Sequence, residues 1–113
     1  MRIELPFVGD SPNVKKHWAI RAKITKNTKL WVRSHCPRTM VGRARIIYTR
    51  VGRMMDQDNL AATAKPFIDG LKNWAIIDDS PEYIQIEFYQ RKPAKGEKPH
   101  TIIEVYPISA EPE

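Results

Sequence analysis

Apolar residues recur along this chain with two different periods, and the switches between them predict its elements. At the start, Arg2-Ile3-Glu4-Leu5 alternates polar and apolar, the period of a strand with one buried face. The segment 2–8 is therefore expected to be a short strand, which Pro6 ends or confines to a sheet edge. Gly9-Asp10-Ser11-Pro12-Asn13 is a turn cluster. From His17 to His35 the pattern changes: Trp18, Ala22, Leu30 and Val32 partly fit a helix, with Ile20 and Ile24 offset. Thr25-Lys26-Asn27-Thr28 is a poor helix interior, because its polar side chains compete for the backbone. One helix, two shorter ones, or a basic arm followed by a helix all fit this stretch. Cys36-Pro37-Arg38 closes it.

Residues 43–51 are β-branched and aromatic and predict a strand. Over 59–73, Leu60, Ala64, Phe67, Ile68 and Leu71 form a stripe at spacings of three and four, which predicts a helix. Asp58 or Asn59 would cap it, Pro66 would bend it, and Gly70 weakens its last turn. Asp78-Asp79-Ser80-Pro81 reads as a turn. Residues 83–90 alternate well, and 101–106 form a last strand; with the polar loop between them they make a hairpin candidate. The order strand, helix, strand, helix, strand, strand predicts an α+β fold. It would be a single domain, 1–113, with a mixed β-sheet of about four strands and two main helices.

Composition sharpens this picture. The chain has 113 residues, 42% of them hydrophobic, enough for one core. A domain of this size buries only a modest share of its surface, so forming an oligomer would add useful burial. Its one cysteine, Cys36, excludes an intrachain disulfide and a cysteine metal site, and fits a reducing, cytoplasmic location. The N-terminal residues carry no apolar run of the secretory kind, and no segment is long enough to span a bilayer. Net charge is +6, very unevenly spread. Residues 1–55 hold 13 Lys and Arg against Glu4 and Asp10, a net of +11. Residues 56–113 hold 6 against 11 Asp and Glu, a net of −5, so the two parts sum to the whole. A basic half beside an acidic one points to a polyanion surface next to a cation site. Lys15, Lys16, Arg21, Lys23, Lys26, Lys29 and Arg33, with Arg53 just ahead of the acids, are the candidate DNA contacts.

The acids gather in two places. Asp56 and Asp58 are two residues apart, and in an extended segment such residues point to the same side. Asp78 and Asp79 close the helix segment. A hard cation such as Mg²⁺ takes oxygen ligands, often one or two carboxylates together with substrate phosphates. Lys65 lies seven residues after Asp58, two helical turns on, and Asp69 a turn beyond that. A lysine there would offset carboxylate repulsion and stabilise charge on a phosphate in the transition state. Each residue alone also has a plain structural role, as cap, turn, or solvated helix charge; the arrangement is what points to chemistry. His17, His35 and His100 have no metal-ligand spacing, and Trp18, Trp31 and Trp74 read as core residues rather than base-stacking platforms.

Three stretches, Asp56-Gln57-Asp58-Asn59-Leu60, Lys65-Pro66-Phe67-Ile68-Asp69-Gly70-Leu71 and Ile76-Ile77-Asp78-Asp79, resemble the core of the RusA family of Holliday junction resolvases. Leu5-Pro6 and Ser11-Pro12-Asn13 resemble that family's first strand and turn. The resemblance implies a Mg²⁺-dependent, structure-selective endodeoxyribonuclease (Mn²⁺ can substitute) that nicks four-way junctions in pairs as a homodimer. It implies that Asp56, Asp58 and Asp79 are catalytic metal ligands, with Asp78 the neighbouring acid and Lys65 the catalytic lysine. The competing readings are a less selective metal-dependent nuclease and a non-catalytic, basic DNA-binding module.

Overall fold

A computed structural model describes residues 1–9 and 18–108 of the chain. The expected order of elements is observed: β1 (Arg2–Leu5), α1 (Trp18–His35), β2 (Ala44–Val51), α2 (Gln57–Leu71), β3 (Ile84–Arg91) and β4 (His100–Pro107). The four strands form one sheet in the order β1-β4-β2-β3. β2 and β3 pair in parallel, whereas β4 pairs antiparallel with both β1 and β2. The fold is thus α+β with a mixed sheet and two helices, as the sequence predicts.

The connections differ from the expectation in one respect. β3 and β4 are not a hairpin: β2 lies between them, paired residue for residue with both. α2 provides the long crossover that parallel neighbours need, which an eight-residue strand and a tight turn could not. β1 ends at Leu5, immediately before Pro6, and sits at the sheet edge. Met1 prolongs its ladder through the N-terminal ammonium, which donates to the Val105 carbonyl at 2.9 Å.

Both helices lie on one face of the sheet. Alternate residues of the strands (Ile3 and Leu5, Ala44, Ile46 and Tyr48, Ile103 and Val105) join Val32, Leu60, Phe67, Ile68 and Leu71 in the core. Tyr48 and Phe67 are fully buried with ring centroids 5.7 Å apart. On the opposite face Arg45 pairs with Glu87, and Tyr89 donates to Glu87.

α1 is one unbroken helix, so neither the two-helix reading nor the basic arm holds within the described residues. The weak point survives because Thr28 is turned inward and its hydroxyl donates back to the Ile24 carbonyl at 2.9 Å. α2 likewise continues through Pro66 to Leu71. The two helices meet at Gly70. A methyl placed there would lie 3.0 Å from the Val32 Cβ and 3.2 Å from the Lys29 Cα, tighter than ordinary contact, so glycine lets the helices come this close without either giving way. Among the described residues no helix is long and apolar enough to cross a membrane.

The loop that ties β3 toward β4 carries its own clasp. Glu97 accepts from Arg91 Nη1 and Nη2 and from the Ala94 amide, and these bonds hold its carboxyl down at about 2. A depressed carboxylate stabilises the fold above its unfolded value, near 4.5, and loses that contribution as pH falls toward 2. Carbon-detected NMR titration is therefore expected to find Glu97 as an unusually acidic carboxyl, and Arg91→Gln to return it toward the ordinary range. A Glu97 midpoint near 4.5 in the unaltered protein would contradict the clasp.

Candidate functional site

α2 begins with a cap at Asp56, two or three residues before the Asp58 or Asn59 that the sequence points to. Asp56 holds extended backbone, and its Oδ1 accepts from the Asn59 amide at 2.8 Å. Its Oδ2 accepts from Asn59 Nδ2 at 3.3 Å, so both oxygens serve the helix start. The helix opens at Gln57, which overturns the extended-segment argument. Asp58 is in the first turn, where each residue rotates by about 100° and the period of two no longer applies. Asp58 instead places a negative charge at the positive end of the helix dipole.

The backbone ahead of this cap is held firmly. Gln90 of β3 clamps Met55 from the side: its Nε2 donates to the Met55 carbonyl at 2.6 Å, and its Oε1 accepts from the Met55 amide at 3.0 Å. Arg50, although buried, reaches the Arg53 carbonyl at 3.2 Å and the Gly9 carbonyl at 2.6 Å. Sequence reasoning missed both residues. They occupy strand positions with no motif, and only the tertiary fold brings them to residues 53–56. Gln90→Leu keeps the side-chain size and removes both bonds, leaving two backbone groups short of partners; a loss of about 1–3 kcal/mol is expected. Amide exchange at Met55 measures it, and unchanged protection in the variant counts against the clamp.

Beyond α2 the chain turns sharply and comes back along it. Asn73 adopts a left-handed conformation (φ 59°), and the amides of Trp74, Ala75 and Ile76 all converge on the Leu71 carbonyl. Val41 donates to the Ala75 carbonyl at 2.7 Å, and Ala75 and Ile76 are fully buried, which pins the loop to the body. Lys72 then gathers the two acids that follow: its Nζ lies 3.3 Å from Asp78 Oδ1 and 3.8 Å from Asp79 Oδ1. The Asp79 amide, then Lys72, hold the Asp78 carboxyl below its usual range. Those same acids raise the Lys72 ammonium above its own.

This return brings Asp79 to the flank of α2. Asp79, Lys65 and Asp69 line one cleft of about 220 Å³, with Ala61, Ala64 and Ile68 on the helix and Ile86 and Phe88 on β3 as its apolar walls. A basic and two acidic side chains, two from α2 and one from the loop that follows it, thus share one concavity. Asp69, which helical spacing places one turn beyond Lys65, is a full member. Asp56 and Asp58 are not among the lining residues. α2 is 15 residues long, about 22 Å from end to end, and these acids lie at its start.

The expected four-carboxylate centre of Asp56, Asp58, Asp78 and Asp79 is therefore not assembled. Among the described residues no group of three or more His, Cys, Asp or Glu side chains is placed to hold a metal ion. The reason is physical: Asp56 is engaged as a cap, and Asp78 is turned to Lys72. The donor chemistry of the cleft itself still suits a hard cation, which binds through one or two carboxylates and completes its shell with water and substrate phosphate. Asp69 and Asp79 bring two carboxylates to the cleft lining.

The expected DNA contacts divide three ways. Arg21, Lys23, Lys26 and Arg53 are exposed, and Lys29 is half-buried. Lys15 and Lys16, with His17, lie outside the described residues. Arg33 is turned into the fold: it donates from Nε to the Gly70 carbonyl at 3.1 Å and from Nη2 to the Lys72 carbonyl at 3.2 Å, capping the end of α2. Its guanidinium also covers the Trp74 ring at 5.6 Å. Trp74 itself packs against the core and donates from Nε1 to the Cys36 carbonyl at 2.7 Å, as expected of a structural tryptophan. Trp18 and Trp31 are not core residues; they are 75% and 48% exposed on α1.

In comparisons with known proteins, no family model and no curated protein matches this chain.

Proposed function

We propose that this chain is a metal-dependent endodeoxyribonuclease acting on branched DNA, with the four-way junction as its preferred substrate and a homodimer as its working form. The observation that carries the reading is the cleft in which Lys65, Asp69 and Asp79 converge, although 14 positions separate the first residue from the last. The in-order resemblance to the RusA family and the wholly basic charge of α1 support it. A Mg²⁺ ion bound there would polarise a phosphate and ease formation of a hydroxide nucleophile. Asp69 and Asp79 would hold that ion. Lys65, exposed at the cleft rim, would meet the scissile phosphate and stabilise its growing charge. Lys72 fixes Asp79 in place and limits its repulsion from Asp78. The α1 cations would supply phosphate contacts that do not depend on sequence and weaken as salt rises. A two-fold dimer would present two such clefts to symmetry-related strands, the arrangement that paired nicking requires.

One observation favours a second reading, a DNA-binding module without catalysis: Asp56 already has a full structural role as the α2 cap. Incubating the purified protein with a synthetic four-way junction and with matched linear duplex, each in Mg²⁺ and in EDTA, separates the possibilities. Paired nicks confined to the junction and to Mg²⁺ are expected. Equal cutting of both substrates would replace the resolvase with a less selective nuclease, and binding without cutting would leave the module.

A further inference from the structure

We infer that α1 carries a seat for a single unstacked nucleobase, built around Trp31. A stripe of Ile24, Asn27, Thr28 and Trp31, spaced three and four apart, runs along this helix. With Phe7 it lines a shallow cleft of about 200 Å³. The rings behind it are braced. Phe7 meets Trp31 edge-on at 6.1 Å and stacks on Phe67 at 5.6 Å, and Phe67 in turn contacts Tyr48 in the core. His35 stacks on Trp31 at 5.6 Å. The indole is thus held by rings that lead back into the fold, while nearly half of Trp31 faces solvent.

The chemistry selects the occupant. A braced, exposed aromatic face stacks on any base, because every base has a π-face. Asn27 adds an exposed amide, donor and acceptor at once, at the cleft edge. Lys23 lies one helical turn from Asn27, with Lys26 and Lys29 further along, and Trp18–His35 contains no acid. That charge complements a phosphate backbone on which the base would be carried. A lipid surface would want a continuous apolar face, whereas here exposed Asn27, Lys23 and Lys26 interrupt it. The inference rests on the DNA-binding half of the proposed function and is independent of cleavage. Unpaired bases occur in single strands and at the open centre of a branched junction, so such a seat would favour these over continuous duplex.

The test is binding by fluorescence anisotropy in EDTA, with a labelled oligothymidylate, the same strand built from abasic residues, and a linear duplex. The protein is expected to bind the base-carrying strand on the order of 5- to 150-fold more tightly than the abasic one. Trp31→Ala should erase that ratio and leave duplex affinity unchanged, while Trp31→Phe keeps most of it. Asn27→Ala, remote from the buried side, should reduce it with an unaltered melting curve. Equal affinity of the unaltered protein for base-carrying and abasic strands overturns the inference whatever the variants do. So does tighter binding to vesicles of 3:1 phosphatidylcholine and phosphatidylserine that Trp31→Ala abolishes. Failure to bind any of the DNAs overturns the DNA-binding reading as well.

Discussion

Asp79→Asn is expected to slow Mg²⁺-dependent cleavage of a four-way junction by roughly 100- to 1,000-fold while junction binding holds or tightens. Asparagine has the same shape, so the cleft keeps its form. What disappears is a negative charge from a site shared with Lys65 and Asp69. Binding should not fall, because a carboxylate beside a phosphate opposes association. Lys65→Ala should slow cutting as well, but because it removes a positive charge from the cleft, junction binding is expected to weaken slightly rather than tighten. The cap at Asp56 offers a sharper comparison. Asparagine caps a helix as well as aspartate does, whereas alanine costs about 1 kcal/mol. If Asp56 acts only as the cap, Asp56→Asn cuts normally. If it also binds metal once DNA is present, Asp56→Asn fails with an unchanged melting temperature. Full activity in Asp79→Asn, measured as initial nicking rate, would remove the cleft from the mechanism.

The second large effect concerns the helix crossing. Gly70→Leu is expected to lower the melting temperature by on the order of 10–20 °C, through overpacking of about 2–3 kcal/mol. The new Cβ would meet the Lys29 Cα, a backbone atom that cannot swing aside, and the Val32 side chain. As the helices part, Arg33 would also lose its grip on the Gly70 carbonyl. Gly70→Ala is a balanced case, since alanine gains about 1 kcal/mol in helix propensity while suffering the same first contact. A calorimetric scan of the two variants tests the geometry: leucine far below alanine is expected. A melting temperature for Gly70→Leu within about 2 °C of the parent, well under 1 kcal/mol, would mean that the crossing is looser than this.

Much of the scaffold was legible from spacing alone. The stripe of Leu60, Ala64, Phe67, Ile68 and Leu71 is buried throughout, because a helical period of apolar residues can be satisfied only by turning one face inward. Alternation placed β3 and β4 for the same reason. It did not place them beside each other or apart. Residue period encodes which face is buried and is silent on which strand is the neighbour, so the expected hairpin gave way to β2 inserted between them. The helix start shows the finer limit. Asp56, Asp58 and Asn59 are all competent caps, and the choice among them is set by where Gln90 and Arg50 hold the preceding backbone.

For function, the sequence determined the materials: a basic first half, an acidic second half, Lys65 and Asp69 at i and i+4 on one helix, and Asp78-Asp79 close behind it. Those follow from composition and helical spacing, which are local. The tertiary structure decided their use. The loop after α2, pinned by Val41 and by buried Ala75 and Ile76, carries Asp79 into the cleft with Lys65. Asp56 is drawn to the helix cap, and Arg33 to the carbonyls ending α2. Trp18 and Trp31 are exposed, while Thr28 and Val32 are the residues of α1 that the fold buries. Each of these outcomes depends on atoms brought together by long-range packing, to which no local pattern in the chain refers.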